Sequence, residues 1–304
     1  MIAYIFPGQG SQKPGMGKDL YDAFREARDI YEKAKKITGV DWAEISFEGD
    51  KHTLTQTEIT QPSLFINSVA ILHSLGDSAQ FDGVAGHSLG EYTALYAAGV
   101  LGFDEALTCV VERGKLMSRA RSGGMLAPLG ADDGKVFEVV ESFKDKGVLV
   151  VANCNAPGQM VVSGDEDLLD EASEALKVSA NARKVIRLPV SAAFHSPLMR
   201  ETKEAMAKRL RKIEFSEPKV PFYANASGAR AENPDEIREL LIEQITRPVL
   251  WTNQIRAMSE DGFDTFVEIG PGRVLQGLVE RIITADTRGI SNSDEVNKEM
   301  GSGK

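Results

Sequence analysis

The run GVAGHSLGEYTALYAAG at residues 83–99 constrains the fold more than any other part of this chain. A short apolar strand must there turn sharply into a helix, because Leu89, Tyr92, Leu95 and Ala98 recur at helical spacing directly after it. Gly86 and Gly90 flank the turn, where side chains would collide with neighbouring backbone. The pattern is the Gly-x-Ser-x-Gly elbow. It presents the Ser88 hydroxyl at a helix N-terminus, where free N–H groups favour developing negative charge.

The rest of the chain fits around such a unit. IAYIF (2–6) reads as a buried strand, followed by a glycine-rich turn and a helix around 19–38. A second helix fits 61–76, opening after Thr60 with Pro62 in its first turn, and another spans about 103–120. From 125 to 190 the pattern reads strand, helix, strand, strand, helix, strand, the ferredoxin-like βαββαβ order. The chain then returns with a helix at 197–212, the strand VPFYAN, a helix at 234–246, the strand FDTFVEIG and a helix at 272–284. After Asp286 the sequence turns polar, and the terminal GSGK reads as frayed. The expected class is α/β, with residues 1–123 and 191–304 forming a large subdomain and residues 124–190 an inserted small one.

Composition removes several function classes. A net charge of −10 argues against generic nucleic-acid binding, which needs a basic surface. Cys109 and Cys154 sit among apolar neighbours and read as buried structural thiols. His52, His73, His87 and His195 show no metal-ligand spacing, so no metal is expected. The apolar start MIAYIF is too short for a signal-peptide core, and no run is long enough to span a membrane. The expected location is cytoplasmic.

A serine nucleophile needs a base. His87 adjoins Ser88, but neighbours on a turn diverge, and His52 and His73 have no supporting pattern. His195, in LPVSAAFHSPLM, follows a strand and precedes a helix, where α/β sites collect their side chains. It is the best remaining partner for Ser88. On the 103–120 helix, Ala106, Val110, Arg113 and Met117 share one stripe, so Arg113 is expected to point inward. A buried guanidinium needs an anion or several carbonyls. Its planar fork matches a carboxylate, and an internal ion pair with Glu112 or Glu91 is the structural alternative.

Taken together, GHSLGEY, the opening FPGQGSQ, Arg113-Gly114 and VSAAFHS resemble the malonyl-CoA:acyl-carrier-protein transacylases, including the acyltransferases of polyketide synthases. The resemblance runs from about residue 1 to about 285 and takes in VANCNAPGQMVVSG and VEIGPGRVLQGL. It implies an α/β-hydrolase-like core with an inserted ferredoxin-like subdomain. It implies Ser88 as the acylated nucleophile and His195 as its base, held by the main-chain carbonyl of Gln244. The backbone N–H groups of Gln9 and Leu89 would form the oxyanion hole. Arg113 would bind the free carboxylate of malonyl, with Phe194, His87 and Met117 also binding substrate. Phe194 matches the bulky residue of malonyl-preferring members. No cofactor is implied, and the implied partners are malonyl-CoA and an acyl carrier protein.

One segment departs from the family. GGMLAPLG stands where a Gly-x-Met-Ala-Ala pattern is common, so Leu126 replaces a small residue. Pro128 removes a backbone donor, which confines it to an edge strand or bulge. Asn153 and Asn155 either line the cleft or make ordinary turn hydrogen bonds. A local basic patch is expected to attract an acidic carrier, from Arg183, Lys184 and Arg187 or from Lys208, Arg209, Arg211 and Lys212. The rival reading is a serine thioesterase or hydrolase, in which water resolves the same acyl-enzyme. A non-catalytic scaffold is the second rival, disfavoured by intact Ser88, His195 and Arg113.

Overall fold

The structure, a computed structural model, describes residues 1–120, 123–190 and 192–302. Its strands are β1 (Ile2–Phe6), β2 (Gly83–Gly86), β3 (Gly124–Leu129), β4 (Leu149–Ala156), β5 (Gln159–Gly164), β6 (Lys184–Arg187), β7 (Phe222–Ala224), β8 (Ala229–Ala231), β9 (Thr265–Ile269) and β10 (Asp286–Ile290). Six of them form one sheet in the order β10-β9-β1-β2-β7-β8, parallel except for the antiparallel edge strand β8. Strands covered on both faces read as apolar runs, and β1 shows why. Tyr4 and Phe6 point into the core shared with helices Thr57–Leu75 and Phe103–Arg119, while Ala3 and Ile5 face Trp251, Ile255, Leu275 and Val279 opposite.

The other four strands form a separate antiparallel sheet in the order β4-β5-β3-β6. Helices Asp133–Glu141 and Leu169–Val178 intervene, giving the expected βαββαβ succession. Val136, Val139, Leu169, Ala172 and Leu176 bury one face of this sheet against Leu126, Val151 and Val162. Its far edge returns to the large sheet's side through backbone hydrogen bonds between Ala152, Cys154 and Val249.

Several elements differ from expectation. The 19–38 helix is two, Lys18–Ala23 and Arg25–Thr38, broken by extended backbone at Phe24. The second helix starts at Thr57 and carries Pro62 inside it, not in its first turn. Its opening turn is held by tertiary packing: a Cβ on Gly114 would lie 3.1 Å from Glu58 Cα, so the Gly114 backbone seats directly on it. Pro128 lies neither at an edge nor in a bulge. It sits in β3, an inner strand that pairs with β6 from Leu126 to Leu129, while pairing to β5 lapses at Ala127 and Pro128 and resumes at Leu129. The sheet absorbs the missing donor as this two-residue gap.

Helix Trp251–Glu260, absent from the sequence reading, buries Trp251, Ile255 and Met258 beneath a polar-looking exterior. The polar tail is also structured. β10 extends the sheet beside β9, and helix Ser293–Ser302 follows, with Ile290 and Val296 buried. Of the GSGK tail, Gly303 and Lys304 lie outside the described residues. Among the described residues, no helix is long and apolar enough to cross a membrane.

Deleting residues 286–304 strips a paired strand from β9 and uncovers the sites of two buried side chains, worth about 3–6 kcal/mol together. Thermal unfolding of the truncated chain is expected to show a transition lowered by about 5–10 °C. An unchanged transition would show that β10 merely decorates the sheet.

Candidate active site

The C-terminal ends of β1, β2 and β7 lie side by side, and the loops leaving them converge there, the usual crevice of an open α/β sheet. Ser88 leaves β2 in the left-handed region with φ 51°, a strained setting for a residue with a side chain. The flanking glycines follow from contact distances. A Cβ on Gly86 would lie 2.0 Å from the carbonyl carbon of Gly90, and one on Gly90 would lie 2.0 Å from Phe6 O. The PGQG loop after β1 is pinned equally closely, since a Cβ on Gly8 would meet His87 O at 2.4 Å.

Ser88 Oγ lies 2.8 Å from His195 Nε2, and His195 Nδ1 lies 2.8 Å from the Gln244 carbonyl oxygen. A carbonyl only accepts, so Nδ1 carries the proton and Nε2 is left to receive one from Ser88. His195 is buried and also has positive φ, 57°. Burial, reinforced by the Arg113 charge and opposed by the Gln244 carbonyl, drives its pKa down to about 3. The ring is neutral at ordinary pH.

Arg113 is 1% exposed and donates to Gln61 Oε1 at 2.8 Å, to Gln244 Oε1 at 3.0 Å and to Ser88 Oγ at 3.0 Å. Its Nε has no partner among the described residues. Neither alternative acid pairs with it. Glu112 lies 3.8 Å from Arg209, and Glu91 accepts from the Asn225 N–H and from Gln244 Nε2. Burial raises the Glu91 carboxyl to about 8, against the pull of those donors and of Arg113.

These groups open into a cavity of about 180 Å³. Gln9, His87, Leu89, Met117 and Phe194 line it with Ser88, Arg113 and His195, joined by Gln61, Met125, Asn153, Asn155, Val161, Leu188 and Val190. Gln244 lies behind the wall, fully buried. Asn155 bonds the His87 ring at 2.8 Å. Neither Leu126 nor Pro128 borders the cavity; Leu126 packs in the small subdomain's core. His52 is exposed, and His73 bonds Tyr96 at 2.6 Å. Burial pushes both thiols up to about 11, although Cys154, unlike Cys109, is only half-buried. Within the candidate basic patches, Arg187, Arg209 and Arg211 already pair with Glu166, Glu112 and Glu239.

Three polar residues went unread in the sequence. Asn225, just past β7, accepts the Ser88 N–H at 2.7 Å and donates to Gly86 O at 2.7 Å and Gln254 Oε1 at 3.0 Å. Gln254 in turn donates to Tyr223 O at 2.7 Å. Gln61 is a buried amide on a helix buried nearly all round, and that polarity amid apolar residues was its one available signal.

The acyl transferase domain family matches residues 3–296. The chain is 40% identical to malonyl CoA-acyl carrier protein transacylase of Bacillus subtilis over 92% of this chain and 90% of that protein. It is 41% identical to the polyketide biosynthesis protein ThaF of Burkholderia thailandensis, but spans only 24% of that protein's length. A solved complex of a type II polyketide acyl-carrier protein with its malonyl-transacylase superposes with a TM-score of 0.94 at 34% identity, covering 99% of each chain.

Neutral His195 gives a direct spectroscopic expectation. Its ring carbon resonances should stay flat between pH 8 and pH 5, because its depressed pKa places protonation well below the ordinary histidine range. A transition near pH 6.5 would contradict the buried setting.

Proposed function

The chain belongs to the acyl transferase domain family, and from that premise we propose that it transfers malonyl from malonyl-CoA to the phosphopantetheine thiol of an acyl carrier protein. One observation carries the choice of acyl group: a buried guanidinium, hydrogen-bonded to no carboxylate among the described residues, stands 3.0 Å from the Ser88 hydroxyl. Relatives named for malonyl transfer in both fatty-acid and polyketide settings support the same reading.

In this mechanism His195 Nε2 takes the Ser88 proton as Oγ attacks the thioester carbonyl. Collapse of the tetrahedral adduct breaks the carbon–sulfur bond, and coenzyme A leaves as the thiol with that proton. The carrier's thiol then gives its proton to His195 and attacks the acyl-serine; the acyl–Oγ bond breaks as His195 returns that proton to Ser88 Oγ, leaving malonyl as a thioester on the carrier. The Ser88 N–H is already taken by Asn225, which leaves the N–H groups of Leu89 and Gln9 for the oxyanion. Among the described residues, neither of those two is paired with a protein acceptor. A carbonyl, unlike a carboxylate, does little to stabilise an imidazolium, so His195 is a weak base suited to an activated thioester.

Phe194, Met117 and Met125 supply apolar lining to the cavity. It restricts bulk beside the malonyl C2, an exclusion worth about 1–3 kcal/mol per methyl. Residues 1–123 and 191–304 supply the nucleophile and base, and residues 124–190 close the cavity from the other side. The work is cytoplasmic, where coenzyme A thioesters and carrier proteins meet.

Intact-mass measurement after malonyl-CoA addition should show one malonyl adduct, absent in Ser88→Ala and discharged by holo carrier protein faster than by water. Arg113→Ala should reduce the preference for malonyl-CoA over acetyl-CoA by about 100-fold or more, the scale of a lost buried charge pair. Discharge to water as fast as to carrier would favour the hydrolase instead. A preference surviving in Arg113→Ala would remove the arginine from substrate recognition.

A further inference from the structure

Arg113 is held by two amide oxygens, Gln61 Oε1 at 2.8 Å and Gln244 Oε1 at 3.0 Å. The orientation of the Gln244 amide is fixed by its other contacts. Its nitrogen donates to Ser88 O and to Glu91 Oε2, both at 2.7 Å, so only the oxygen is free to face the guanidinium. Glu91 thus sits behind Gln244, its two oxygens occupied by Asn225 N–H and Gln244, with no ion pair to the arginine. Gln61 directs its nitrogen at Met117 Sδ, 3.3 Å away.

Amide oxygens orient a guanidinium without cancelling its charge. A carboxylate at either position would do both, filling the fork's donors and repelling an incoming anion at close range in a low-dielectric site. We propose that the neutrality of Gln61 and Gln244 is itself a specificity determinant. The two amides fix the fork beside Ser88 and leave its charge to be met by a carboxylate borne on the acyl group. This rests on the reading of Arg113 as the partner of the acyl carboxylate. Gln61 and Gln244 act as positioning residues, through the arginine.

Gln61 offers the cleaner test, because Gln244 also holds His195 through its main chain. Malonyl-CoA and acetyl-CoA compete for Ser88 in the wild type and in Gln61→Glu, Gln61→Met and Arg113→Ala, with adducts counted by intact mass and folding followed by thermal unfolding. Gln61→Glu is expected to lower the malonyl-to-acetyl ratio by about 100-fold, towards that of Arg113→Ala, as an internal ion pair replaces the substrate's. Gln61→Met, neutral and of similar length, is expected to hold the ratio within about tenfold of wild type, the scale of one lost hydrogen bond. A wild-type ratio in Gln61→Glu beside a collapsed one in Arg113→Ala overturns the proposal and leaves the arginine's role standing. A wild-type ratio in Arg113→Ala overturns both. Should Gln61→Glu fail to fold, Gln61→Met decides: a ratio as low as that of Arg113→Ala overturns the proposal, and a retained ratio supports it.

Discussion

A guanidinium taken out of water without a carboxylate is among the more expensive things a fold can tolerate, and Arg113 is such a group. Much of the site's architecture answers to it. Gln61 reaches it from the first turns of one long helix, and Gln244 reaches it from the end of another. The charge pushes His195 further below an ordinary histidine than burial alone would and adds a donor to Ser88 Oγ. Ser88, His195 and Arg113 thus form one electrostatic unit.

That unit needs rigid support, and the backbone supplies it through very close approach. Gly86, Gly90 and Gly8 let the serine elbow and the loop after β1 close on each other at distances no side chain permits. Asn225 then ties the Ser88 N–H to Gly86 O and to Gln254 in the layer below. Gln244 gathers the remaining groups, its main-chain oxygen holding His195 while its amide spans Arg113, Ser88 and Glu91. A strained serine at φ 51° is sustained because these bonds over-determine its position.

The elbow was legible because its glycines encode backbone contact, and the inward turn of Arg113 because the helical stripe encodes direction. The βαββαβ order was legible from alternation alone. What escaped shares a different cause. Asn225, Gln61 and Gln254 are polar residues whose value lies in partners far along the chain, which no local period reveals. β10 and the last helix look polar because each buries little, Ile290 in one and Val296 in the other. Pro128 misled because a single missing donor, decisive in an isolated strand, costs an inner strand only a short lapse on one side.

The most direct measurement is a crystal structure of the protein acylated with malonyl-CoA in the absence of carrier. The malonyl carboxylate should lie about 2.7–2.9 Å from the Arg113 nitrogens, the spacing of a charge-assisted pair, with the ester oxygen against the N–H groups of Gln9 and Leu89. A malonyl-serine whose carboxylate points to solvent, with Arg113 still bound only to its glutamines, would contradict the role given to the buried charge.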